Sequence, residues 1–191
     1  MLLPKTNQNR SMITPNSFNQ IEEKAFELTE KFQIKSAPVP VREIALGLGI
    51  DIIEYNLGDG ASGVLLIDND RATIGINPND PPVRQRFTIS HEIGHFIYHR
   101  TSSQLFVDKD FFIKKYRNPN NSYTQEEFKQ EQQANNFAAA LLMPRWLLEI
   151  EINSIDIDDY TELELIEFLA KRFQVSVSAM SYRMANLNAY I

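Results

Sequence analysis

The chain has 191 residues, a 43% hydrophobic and 23% charged composition, a net charge of −6 and no cysteine. These values suit one globular domain with a real core. They exclude a disulfide framework, a thiolate metal site and a cysteine nucleophile. No apolar run approaches the roughly 18 residues of a membrane span, and the N-terminus is too brief for a signal-peptide core. The acidic balance argues against broad binding to nucleic acid or anionic membrane, and the absence of cysteine fits a cytoplasmic setting.

In chain order, residues 1–18 are polar, rich in Asn and Ser, and read as a flexible leader. From Asn19, Ile21, Ala25, Leu28 and Phe32 recur at helical spacing. Pro38 and Pro40 interrupt the chain before a short helix over Val41–Leu48, which Gly47 or Gly49 stops. Ile50–Tyr55 reads as a strand. Ser62–Ile67 and Ala72–Asn77 read as a hairpin joined by the turn residues Asp68-Asn69-Asp70-Arg71. In the second arm Ile74 and Ile76 alternate with Thr73 and Gly75, a pattern that suits either a plain sheet strand or an edge strand with one wet face, where an extended peptide would pair.

Asn77 to Pro82 forces a loop, with Asp80 as the expected N-cap of a helix over Val83–His99. Apolar residues occur on several of its faces, so it should be largely buried. Gly94 costs about 1 kcal/mol relative to alanine there; another backbone packed close beside the metal would be one reason for it. Thr101–Ser122 shows no clear period and reads as a long loop of the kind that borders functional sites, with room for a short helix. Thr124–Met143 is the next strong helix, opened by the capping box Thr124-Gln125-Glu126-Glu127 and ended by Met143-Pro144. Trp146–Ile150, Thr161–Phe173 and Ser176–Leu187 supply further helical segments.

The chemistry concentrates at His91-Glu92-Ile93-Gly94-His95. Two histidines four apart share one helix face, about 6 Å apart along the axis, and close on a single zinc ion with Glu92 beside its open position. All three histidines of the chain fall between positions 91 and 99. His99 lies about another 6 Å along the same face, too far to join the pair on one ion, so it is expected to support a ligand or the fold. The third donor should then be a carboxylate. Glu127 is accounted for by the capping box and Glu126 by the helix dipole. Glu131 instead falls on the inward stripe of Phe128, Asn135, Ala138 and Leu142, where an acid is costly unless paired or metal-bound. Asn135, one turn later, would orient a ligand, hold a loop or simply pack. Tyr98, Tyr116, Tyr123 and His99 are candidate donors to a developing oxyanion.

His91-Glu92-Ile93-Gly94-His95-Phe96, followed by Glu131-Gln132-Gln133-Ala134-Asn135-Asn136-Phe137 and on to Met143-Pro144, resembles the ImmA/IrrE family of zinc metallopeptidases. Gly63 and Arg86-Phe87-Thr88 share in the likeness. The resemblance implies an α+β fold: a mostly helical zincin-like core over 19–150, a small antiparallel sheet on the motif helix, and a C-terminal helical segment over 151–191. It implies zinc on His91, His95 and Glu131, with Glu92 as catalytic base. It also implies a protein partner, a helix-turn-helix repressor that the enzyme cleaves. The alternative is a DNA-binding or interaction regulator with an inactive metal site, because residues 169–187 have a helix-turn-helix cadence. Its second helix offers only Arg183 as a cation, so direct nucleic-acid binding is not expected.

Overall fold

The computed structural model describes residues 15–57, 61–68, 71–100, 105–109 and 124–187. Its elements are α1 (Pro15–Lys31), α2 (Val41–Gly47), β1 (Ile50–Glu54), β2 (Ala61–Asp68), β3 (Arg71–Ile76), α3 (Pro82–His99) and β4 (Leu105–Lys109). They are followed by α4 (Gln125–Leu142), α5 (Arg145–Asn153), a 3-10 turn (Ile157–Asp159), α6 (Glu162–Phe173) and α7 (Val177–Asn186). The result is an α+β fold in which helices cover a small sheet.

Local chemistry accounts for three of the helix starts. Thr124 and Thr161 each form a capping box with the glutamate three residues on, Glu127 and Glu164. The Ser176 hydroxyl accepts from the Ala179 amide at the start of α7. Two starts differ from expectation. α1 begins at Pro15, so the last residues of the expected leader are helical; residues 1–14 lie outside the described chain. Asp80 does not cap α3. Pro81 precedes the first helical residue, Pro82, whose missing amide costs nothing in a first turn. The Asp80 carboxylate instead faces Arg84 at 3.5 Å.

The sheet order is β1-β3-β2-β4. β2 pairs antiparallel with β3, Leu65 opposite Ile74, and antiparallel with β4. β1 runs parallel to β3, Ile50 opposite Ala72, so the sheet is mixed and not purely antiparallel. β3 is an interior strand, not an edge. Its alternation of Ile74 and Ile76 with Thr73 distinguishes the two faces of the sheet, and faces carry no information about neighbours in the hydrogen-bonding direction. The edges are β1 and β4. β4 lies in the stretch read as irregular; five residues are too few to establish a period.

One core runs through the molecule, from Ile21 and Leu28 of α1 through Ile50, Leu65 and Ile74 of the sheet to Phe137, Leu169 and Met180. α3 lies at its centre, with every residue from Thr88 to His95 buried. Gly94 marks its closest neighbour. A Cβ there would stand 3.1 Å from the Ala134 Cα and 3.3 Å from the Ala134 carbonyl, so the two helix backbones nearly touch.

The boundary expected at 150/151 falls within α5, and three arginines tie the C-terminal helices to the rest. Arg86 of α3 donates to the carbonyls of Val39, Phe173 and Gln174. Arg172 of α6 donates to both Glu151 oxygens at 2.9 Å. Arg183 of α7, 2% exposed, donates to the Met143 carbonyl and makes a two-pronged pair with Glu22 of α1. No helix among the described residues is long and apolar enough to cross a membrane.

Removing one partner of a buried ion pair leaves the other uncompensated. Arg183→Met is therefore expected to destabilise the protein by about 3 kcal/mol, measured by urea unfolding. A loss below about 1 kcal/mol would show that Glu22 and the Met143 carbonyl are satisfied by water once the arginine is gone.

Candidate metal centre

The site is built where α3 and α4 touch. His91 and His95, one turn apart on α3, are each 1% exposed, and their rings meet edge to face with centroids 4.6 Å apart. Their Nε2 atoms converge to 2.9 Å. From α4, Glu131 brings one carboxylate oxygen to 3.3 Å from His91 Nε2 and the other to 3.3 Å from His95 Nε2. One donor atom from each of the three residues lies within 4.8 Å of the others. The capping box matters here because it fixes where α4 starts and hence which face Glu131 occupies.

The donor set fits a small divalent ion. Donors at 2.0–2.1 Å around a tetrahedral zinc would be roughly 3.3 Å apart, and the separations here are 2.9–3.3 Å. His91 is also held in the right tautomer. Its Nδ1 is 3.0 Å from Asn135 Oδ1, so the amide oxygen accepts the ring proton and Nε2 is left with its lone pair toward Glu131 and His95. Burial alone would raise the Glu131 carboxyl pKa. In the metal-free protein, imidazoles that carry a proton on Nε2 as well hydrogen-bond the carboxylate, override burial and hold the group down at about 2.

Glu92, fully buried, follows His91 on α3 and lies on the side that faces β2. His99 is buried beside His95, ring centroids 5.4 Å apart, but it does not belong to the three-donor cluster. Its pKa falls to about 4. Burial is the main cause and the charge of His95 adds to it, against a bond to the Gln130 backbone and the carboxylates of Glu131 and Glu126. Tyr98 turns its ring edge-on to Phe137 at 5.7 Å. Burial, then the charge of Glu27 on α1, raise its pKa to about 12. Tyr116 and Tyr123 lie outside the described residues. The Gln130 backbone was not legible as a partner of His99, because it depends on how α3 and α4 cross.

This geometry agrees with ancestry. The chain belongs to the Peptidase_M78 family, the IrrE N-terminal-like domain, whose profile matches residues 45–185. That family is one of metallopeptidases and implies a bound metal. The chain is 30% identical over 108 residues to "Uncharacterized immunity region protein 2" of Bacillus phage phi105, a match covering 56% of this chain and 60% of the relative. It also superposes on a Mycobacterium tuberculosis transcriptional regulator with a TM-score of 0.59 at 16% identity, covering 87% of this chain and 46% of the other. The second likeness is one of fold alone. The chain spans less than two thirds of either relative's length.

The shifted groups give the metal-free protein a definite pH response. Between pH 6.5 and about 4 an unfolded chain binds a proton at His99 that the native state resists. Stability therefore rises with pH, is fully present above 6.5, and is lost as pH falls toward 4. Glu131 adds a second loss at lower pH, from 4.5 down to about 2. His99→Gln is expected to flatten the upper part of this dependence in urea midpoints taken at about pH 7 and about pH 4.5. A slope equal to that of the unsubstituted protein would contradict the assignment.

Proposed function

We propose that this chain is a zinc-dependent endopeptidase acting by regulatory proteolysis, and that its substrate is a partner transcriptional repressor of helix-turn-helix type. The observation that carries the reading is the convergence of His91, His95 and Glu131 with Glu92 buried on the adjoining face of α3. Three protein donors among the described residues leave a fourth position open, as catalytic zinc sites do and structural ones do not. The regulatory role is supported by the relative named for a phage immunity region. A repressor substrate would put the activity in the cytoplasm.

When bound, zinc supplies Lewis acidity, polarising the scissile carbonyl and making water a nucleophile near neutral pH. The chain does the rest. His91, His95 and Glu131 hold the ion, and Asn135 keeps His91 in its binding tautomer. Glu92 takes the proton of the attacking water and delivers it to the leaving amine as the C–N bond breaks. Substrate backbone would add to the outer edge of β4, which no described strand pairs, in place of the β3 edge read from sequence.

The DNA-binding alternative loses its reader. Arg183, the one cation of α7, is 2% exposed and engaged by Glu22 and the Met143 carbonyl, so it is not available to phosphate or guanine. α6 and α7 keep the helix-turn-helix cadence as packing elements.

Glu92→Gln is expected to retain zinc and to lose about 10²–10⁴-fold in cleavage of the partner repressor, followed by gel electrophoresis of the purified pair. Unchanged cleavage would remove the mechanism. Asn135→Ala should weaken zinc binding by about 10–100-fold in chelator competition. Wild-type affinity in that variant would reduce Asn135 to a packing role.

A further inference from the structure

Gly63 lies in β2 opposite the motif helix. A Cβ built there would be 2.3 Å from the Thr88 methyl carbon, 3.1 Å from Glu92 Oε1 and 3.6 Å from Glu92 Cγ. Its φ is not in the left-handed region, which only Gly49 occupies among the described glycines, so glycine is required here for space. The strand has no easy retreat. Gly63 stands opposite Ile76 of β3 and Asp108 of β4, and the β2–β4 register shifts between Ala61 and Gly63, at this point of contact.

Thr88 and Glu92 are one turn apart on α3, 1% and 0% exposed, and both face β2. The Glu92 carboxylate thus stands in a slot with the Gly63 backbone as its floor and the Thr88 side chain along its wall. His91 and His95 reach Glu131 on α4, so a change at the β2 side bears on Glu92 before it bears on the metal donors.

From this arrangement we infer that Gly63, with Thr88, is a positioning residue that sets where the Glu92 carboxylate stands relative to the metal centre. Its catalytic consequence rests on the peptidase reading above; its structural consequence does not. A general base must stand within hydrogen-bond reach of the proton it takes, and a misplacement of about 1 Å can cost about 10²-fold in rate. Glycine at 63 lets the sheet approach closely enough to back the carboxylate without pushing it.

The test compares Thr88→Ser with the double variant Gly63→Ala/Thr88→Ser. Both lack the methyl that overlaps most with a new Cβ. They differ in one methyl group, whose nearest remaining neighbour is the Glu92 carboxylate. Zinc affinity by chelator competition and thermal unfolding should agree between the two. Crystal structures of the zinc-loaded proteins should show the Glu92 carboxylate moved by a few tenths of an ångström in the double variant, with His91, His95 and Glu131 in place. On the cleaved repressor, kcat should fall by roughly tenfold at unchanged KM. Gly63→Ala alone, with the methyl kept, should be slower than the double variant. An unmoved carboxylate, equal kcat, or loss of zinc or of cooperative unfolding in the double variant alone would overturn the inference. If the unsubstituted protein cleaves no repressor, the peptidase reading fails while the crystallographic comparison still decides the role of Gly63.

Discussion

The closest approach of two helices governs this molecule. At Gly94 the backbone of α3 comes against that of α4 at Ala134, so closely that an extra carbon would stand 3.1 Å from the Ala134 Cα and require the helices to shift by a few tenths of an ångström. The chemistry is arranged symmetrically about that contact. His91 and His95 lie three residues before and one after Gly94; Glu131 and Asn135 lie three before and one after Ala134. Positions so spaced share a helix face, so one point of packing puts two imidazoles, a carboxylate and an amide in a single layer. A larger side chain at the contact would push the helices apart and move the donors with them.

Such a layer is costly to bury. Two imidazoles at 1% exposure and a carboxylate at 14% forfeit hydration that an apolar core does not return. Here the cost is offset by mutual contacts: Asn135 on His91, and both histidines on Glu131. A bound divalent ion would stabilise the native state further, by mass action. The arginine ties at 86, 172 and 183 keep the C-terminal helices docked behind this centre, which is why a helix pair with a DNA-reader's cadence serves packing instead.

Much of this was legible in the residues. Helices announce themselves through local signals, the period of their apolar stripe and their capping boxes at Thr124 and Thr161. The histidine pair follows from helical spacing alone. Glu131 stands out as an acid on an inward stripe with no capping duty, and Gly94 as a glycine in a helix interior that a close neighbour would explain. What was not legible is non-local. The position of β3 inside the sheet and the parallel pairing of β1 depend on which strands meet, and alternation along one strand does not encode that. β4 is too short for a period. Gly63 acquires meaning only once β2 is known to lie on Thr88 and Glu92. Asp80 does not serve as the cap because α3 starts one residue later than its position suggests, with Pro81 at the N-cap.

The most direct measurement of the central claim is an anomalous difference map across the zinc absorption edge, from crystals of the purified protein. The expected result is a single peak about 2.0–2.2 Å from His91 Nε2, His95 Nε2 and one Glu131 oxygen, with a fourth position open to solvent. A peak that leaves Glu131 unbound, or no peak between the two histidines in zinc-soaked crystals, would contradict it.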